Sequence, residues 1–155
     1  MKEQMSIFIS FKPDNEHYRV FFPFNDLIEN KIDVKTIVPI ASNIYEHYIA
    51  SMRVKIKEID AIRKNKLLVP ARIIWELGDL IFHLTYELKQ MSLEIDGLYE
   101  HLIRDLNLKR KRLEKIIIFR RYISNKEIIP DSLNWGRCEK GTRRIAEKIQ
   151  KGTQP

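Results

Sequence analysis

One cysteine, five glycines and six prolines are all that the 155-residue chain holds of the residues that staple, hinge or break a backbone. Cys138 alone cannot close a disulfide within the chain, and no Cys/His set has zinc-ligand spacing. That usage fits a reducing cytoplasm. Scarce glycine and proline argue against a β-rich or disordered chain and favour helices. No apolar run approaches the roughly 18 residues of a membrane-spanning helix, and the N-terminus lacks a signal-peptide pattern. Catalytic signatures are also missing. His17, His47, His83 and His101 form no HExxH arrangement. Glu46-His47 and Glu100-His101 are adjacent pairs, which do not share a helix face. There is no glycine-rich phosphate loop, no GxSxG and no dinucleotide fingerprint. Asp131 follows Pro130 without the carboxylate–lysine strand partner of a metal-dependent nuclease. An enzyme is the least favoured class, and no metal or cofactor is expected.

What is there is apolar substance and unevenly placed charge. Hydrophobic residues make up 44% of the chain, enough for a real core in a domain of this length. The net charge is +7, yet residues 100–155 hold 15 Lys and Arg against 7 Asp and Glu, and residues 1–99 hold 13 against 14. The whole positive excess lies in the C-terminal third. A polyanionic partner is the simplest physical reason for such asymmetry. A merely soluble basic surface is the competing one.

In chain order, residues 6–24 read as a β-hairpin. Ile7, Ile9 and Phe11 alternate with polar or outward positions, as do Tyr18, Val20, Phe22 and Phe24, with turn chemistry at 13–16. A polar connection covers 25–33. A long helix is expected from about Val38 or Pro39 to about Lys66. Its buried stripe would be Ile40, Ile44, Tyr48, Met52, Ile56 and Ile59, widened by Ile37, Ala41, Tyr45 and Ile49. After the Leu67-Leu68-Val69 linker, a central core helix should run from Pro70 to about Met91. On it, Gly78 signals the close approach of a neighbour, and His83 reads as a hydrogen-bonded core histidine. Residues 91–96 and 124–132 read as loops. A last helix, from about Asn134 to Lys151, carries Arg137, Lys140, Arg143, Arg144, Lys148 and Lys151. The expected fold is mainly α: a short β-hairpin with its connection at 1–33, then a helical bundle at 34–155.

Residues 97–123, GLYEHLIRDLNLKRKRLEKIIIFRRYI, organise the rest. Leu98, Leu102 and Leu106 recur on one helical face. Asn107 interrupts them, being a residue that accepts a left-handed backbone cheaply. Leu113, Ile116, Ile117 and Ile123 then form a second inward stripe, with Arg110, Lys111, Glu114, Lys115, Arg121 and Tyr122 on the outward arc. The spacing resembles the helix-turn-helix motif. With Tyr99 as the first position, Leu102, Leu106, Asn107, Leu108, Leu113 and Ile116 satisfy it. Ile103, where a small residue is usual, and Lys109, where a capping Ser, Thr or Asp is usual, depart from it. An ordinary helical hairpin with a solvated charged face is the plainer alternative. Arg120 falls on the apolar side and should snorkel or pair with an acid.

A wider resemblance covers residues 71–135. The segments RIIWELGDLI, LYEHLIRDL, LKRKRLEKIIIFRRY and IPDSLNWG follow the order seen in the N-terminal helical domain of a bacterial family of uncharacterised PD-(D/E)xK-type nucleases. The resemblance implies nucleic-acid binding in a mobile-element, plasmid or anti-phage setting. The chain departs from that family in lacking the nuclease half and in adding the hairpin and long helix in front, so the resemblance does not carry a cutting activity over.

These readings converge on a DNA-binding protein, such as a transcription regulator or accessory factor, with double-stranded DNA as partner. The long helix offers a surface for a homodimer. The candidate interface comprises Lys109, Arg110, Lys111, Lys115, Arg121, Tyr122, Arg137, Lys140, Arg143 and Arg144. Of these, Arg110 and Lys111 are best placed for base edges, and Lys115, Arg121, Arg137, Arg143 and Arg144 for phosphates. Two alternatives stand beside it. One is an antitoxin, inhibitor or assembly subunit whose basic surface meets an acidic protein. The other is an RNA binder in which Tyr99, Tyr122 and Trp135 stack bases.

Overall fold

The structure, a computed structural model, describes residues 6–11, 18–23, 34–91 and 94–155. It is mainly helical. Strand β1 (Ser6–Phe11) pairs antiparallel with β2 (Tyr18–Pro23), and β2 pairs antiparallel with β3 (Glu94–Asp96). The turn expected at 13–16, His17 and the connection at 25–33 lie outside the described residues. Helix α1 (Val34–Lys64) and helix α2 (Ala71–Gln90) form the long antiparallel pair. Two shorter helices follow, α3 (Leu98–Leu106) and α4 (Arg110–Tyr122). A 3-10 turn (Lys126–Ile128), α5 (Trp135–Glu139) and α6 (Thr142–Gln150) complete the chain. Among the described residues no helix is long and apolar enough to cross a membrane.

Helix α2 is the hub. Its buried residues Ile74, Leu77, Ile81, Leu84 and Leu88 are met by α1 on one side and α4 on the other. The approach to α4 is close because Gly78 has no side chain. A Cβ there would lie 2.7 Å from Arg120 Cβ and 3.0 Å from the Ile116 carbonyl oxygen. One residue on, Asp79 Oδ1 accepts a hydrogen bond from Arg120 Nε at 2.8 Å, so Arg120 finds the acid its apolar-side position calls for. Its guanidinium also lies over the rings of Trp75 and Phe82, at 4.7 and 4.3 Å. Trp75 Nε1 donates to the Ile123 carbonyl at 2.9 Å, closing the far end of α4.

Several expectations are corrected. Helix α1 begins at Val34 and carries through Pro39. Its buried stripe is Ala41, Tyr45, Ile49, Met52 and Ile59, while Ile40 is exposed and Ile44, Tyr48 and Ile56 are only half-buried. The rotation follows from polar seats on neighbouring helices. Tyr45 donates its hydroxyl to Asp105, and Tyr48 donates to Glu87 Oε1 at 2.7 Å. His83 is not a core histidine: half of its side chain is exposed, 3.8 Å from Asp79 Oδ1. The region read as a loop at 91–96 contains β3, with Ile95 buried. The last helix is two helices, separated at Lys140-Gly141. There Thr142 Oγ1 donates to the Cys138 carbonyl at 2.9 Å, spanning the break.

Candidate nucleic-acid interface

Helices α3 and α4 are joined by a tight left-handed turn. Asn107 has φ 52° and ψ 47°, the conformation that its short amide side chain tolerates. Asn107 N and Leu108 N donate back to the carbonyls of Arg104 and Ile103, at 3.3 and 3.0 Å, satisfying the end of α3. Leu108 is half-buried under the turn. Lys109 is extended and caps α4 without any side-chain hydrogen bond. Leu102 and Leu106 from α3, with Leu113, Ile116 and Phe119 from α4, are buried. Phe119, overlooked in the sequence pattern, is completely buried and meets Trp135 edge-on at 5.2 Å. Helix α4 is thus held by α2, α3 and α6 at once.

The electrostatics of α4 are unusual for a helix that only has to fold. A helix N-terminus carries a partial positive charge, and cations placed there cost roughly 0.3–1 kcal/mol each. Lys109, Arg110, Lys111 and Arg112 occupy four consecutive positions at that end, all exposed, and the first turn has no acid. One of them is compensated: Arg110 Nη2 lies 2.7 Å from Glu100 Oε1. The Arg110 guanidinium holds the Glu100 carboxyl below its usual range, and Glu100 in turn raises Arg110.

The remaining candidates divide. Arg143 pairs with Glu147 at 3.1 Å on its own helix and lies over the Tyr122 ring at 5.2 Å. That contact joins α6 to α4 and half-buries Tyr122. The hydrogen bond that Arg143 donates to Glu147 pushes Arg143 up. Arg137 Nη2 donates to the Pro155 carbonyl at 3.0 Å. Lys140 stands exposed at the α5–α6 break, and Arg144 is exposed on α6. Among the described residues Lys109, Lys111, Lys115, Arg121, Lys140 and Arg144 form no ion pair.

Comparison with protein families, curated proteins and solved structures returns no match. The site therefore stands on its own geometry.

Arg112 is a cation that the outward arc read from the sequence leaves out. It is exposed in the first turn of α4. With Arg63, Asp60 and Asn107 it lines a cleft of about 200 Å³. The overlooked signal was positional: a side chain in a helix's first turn has no preceding turn to cover it. Trp135, a candidate for base stacking, is 1% exposed and has no face to offer. No group of three His, Cys, Asp or Glu among the described residues could hold a metal ion. Burial pushes the Cys138 thiol up to about 11, so it is no nucleophile near neutral pH.

Proposed function

We propose that the protein binds double-stranded DNA, with α3, the Asn107 turn and α4 acting as a helix-turn-helix unit and the N-terminal end of α4 set into the major groove. One observation carries this reading. Consecutive cations, Lys109 to Arg112, crowd the end of α4 where the helix's own field opposes them. A phosphate backbone turns that cost into a gain, since helix N-termini and cations both attract anions. Lys111, Lys115 and Arg121 continue the cationic arc. Lys140 and Arg144 stand as additional phosphate contacts. The β-hairpin read from the sequence at 6–24 belongs to the same proposed architecture, as a small appendage to the helical unit; the antiparallel pairing of Ser6–Phe11 with Tyr18–Pro23 supports it.

The exposed Ile40 and Val54 on α1, 39% and 67% accessible, support a homodimer through that helix. The resemblance of residues 71–135 to the nuclease-associated helical domain supports a regulator or accessory factor of a mobile-element or anti-phage system, acting in the cytoplasm. A mobility shift of short random duplexes tests the binding itself. Retardation by the wild type, lost in Lys111→Ala/Lys115→Ala/Arg121→Ala, supports the reading. A shift of equal strength in that variant overturns it.

A protein partner is the second reading. Its support is the pair Phe82 and Tyr86 on α2, which are 48% and 55% exposed. Their rings lie nearly parallel at 6.4 Å. A pull-down partner that survives nuclease treatment and is released by Phe82→Ser would favour it. Of Tyr99, Tyr122 and Trp135, the aromatics expected to stack on RNA bases, Tyr99 alone is exposed, at 37%. Competition between duplex and single strand separates it from the first reading.

A further inference from the structure

The connection between α1 and α2 displays two large apolar side chains that the fold leaves uncovered. Leu67 is 64% exposed and Leu68 is 74% exposed. They are held there. On the upstream side Lys66, with a left-handed φ of 58°, closes α1. Lys66 N donates to the Arg63 carbonyl at 2.9 Å, and Leu67 N donates to the Ile62 carbonyl at 3.1 Å. Downstream, Trp135 N donates to the Val69 carbonyl at 2.8 Å, and Ala71 N donates to the Leu133 carbonyl at 2.9 Å. Pro70 and Asn134 bridge the same two segments. Backbone hydrogen bonds on both flanks thus fix a short tip whose leucines face outward.

The surroundings of that tip are cationic. Arg63, Lys64 and Lys66 precede it. Arg112 of α4 lines the same open groove of about 380 Å³ as Leu67 and Leu68, together with Arg63, Val69 and one acid, Glu139. Among the described residues none of these four cations is in an ion pair. Arg112 belongs to this groove and also to the first turn of α4. The leucine tip and the proposed DNA-reading end are therefore joined through Arg112.

The geometry points to a second DNA contact: the Leu67-Leu68 tip enters the minor groove beside α4, parts a base step and bends the duplex. Apolar wedges flanked by Arg and Lys act on duplexes in this way, unstacking a step while the cations hold the adjoining phosphates. An anionic membrane also attracts leucines ringed with cations. The shared Arg112 favours DNA, because one polyanion can then engage both the tip and the arc. This inference rests on the DNA-binding reading above and adds to it the manner of engagement.

The test uses short duplexes carrying a donor and an acceptor dye at their two ends, titrated with the whole chain. Wild type should raise energy transfer as it binds. Leu67→Ser/Leu68→Ser removes no charge and disturbs no core contact. It should still retard the same duplexes with an unchanged salt dependence, yet lose most of the rise in energy transfer. The conservative Leu67→Met/Leu68→Met should keep it. Binding by wild type without any rise, or an equal rise in the Ser variant, overturns the wedge while leaving DNA binding intact. Failure of wild type to bind any duplex overturns the underlying reading instead. Co-sedimentation of wild type but not the Ser variant with phosphatidylserine-containing vesicles, with no bend in DNA, overturns the wedge in favour of a membrane contact.

Discussion

Gly78 sets how closely α4 lies on α2, and replacing it tests the seat of the proposed reading helix. An alanine Cβ at this position would stand 2.7 Å from Arg120 Cβ and 3.0 Å from the Ile116 carbonyl oxygen. Ordinary contacts between such atoms start at about 3.5 Å, so α4 would have to retreat by most of an ångström. Both obstructing atoms sit at or next to the backbone and cannot rotate away. In an unobstructed helix, Gly→Ala is worth about 1 kcal/mol in favour of alanine. Overpacking a tight contact costs roughly 1–3 kcal/mol. The balance is a net loss of about 0–2 kcal/mol for Gly78→Ala, and a clearly larger loss for Gly78→Val, where the extra methyls have nowhere to go. The retreat would also strain the 2.8 Å hydrogen bond between Arg120 and Asp79. Urea unfolding followed by circular dichroism measures this, with the slope against urea checked to be constant across the series. If Gly78→Ala gains about 1 kcal/mol, as helix propensity alone would give, the close approach of α2 and α4 is wrong. A firmly seated α4 is then ruled out as well.

Two other perturbations follow from the charges. Glu100→Gln frees Arg110 from its 2.7 Å partner at an exposed site. Duplex affinity should rise and its dependence on salt should steepen by about one in log–log slope, while the thermal midpoint stays put. Weaker binding would mean that the pair positions Arg110 for its target. Glu76, between α1 and α2, is pushed up by burial but pulled down further by the hydrogen bonds and charges of Lys55 and Lys126 together, so its net value lies below the ordinary 4.5. A carboxyl lowered on folding contributes stability that is fully present above pH 4.5 and is lost as pH falls through the folded value. Wild type should therefore lose more stability than Glu76→Gln on acidification from pH 5 to pH 3. Parallel curves would show that the 2.7 Å contact with Lys55 carries no net coupling.

The parts of this fold legible in the sequence are those fixed by local rules. The left-handed turn at Asn107, the uncapped start at Lys109, the small-residue contact at Gly78 and the acid partner of Arg120 each depend on one residue's chemistry or its angle on a helix. What was not legible depends on distant partners. The stripe of α1 was ambiguous because apolar residues cover two adjacent rows. The choice between the rows falls to Tyr45, whose hydroxyl seeks Asp105 sixty positions away. The break at Gly141 was hidden by continuous helical spacing around it. The exposure of Leu67, Leu68 and Phe82 could not be read at all, since apolar side chains are expected inside unless a structure shows otherwise. In the candidate interface the outward arc of α4 was visible from its periodicity. The pairings of Arg110, Arg137 and Arg143, which subdivide that set, were not.

The central claim is that cations at the N-terminal end and outward arc of α4 are offered to phosphate. The most direct measurement is the salt dependence of duplex binding by fluorescence anisotropy. If Lys109, Lys111, Lys115, Arg121, Lys140 and Arg144 each meet a phosphate, log affinity falls against log salt with a slope of about −5. In Lys111→Ala/Lys115→Ala/Arg121→Ala the slope should shrink by about 3. A shallow slope in wild type, or an identical slope in the two proteins, would contradict the account.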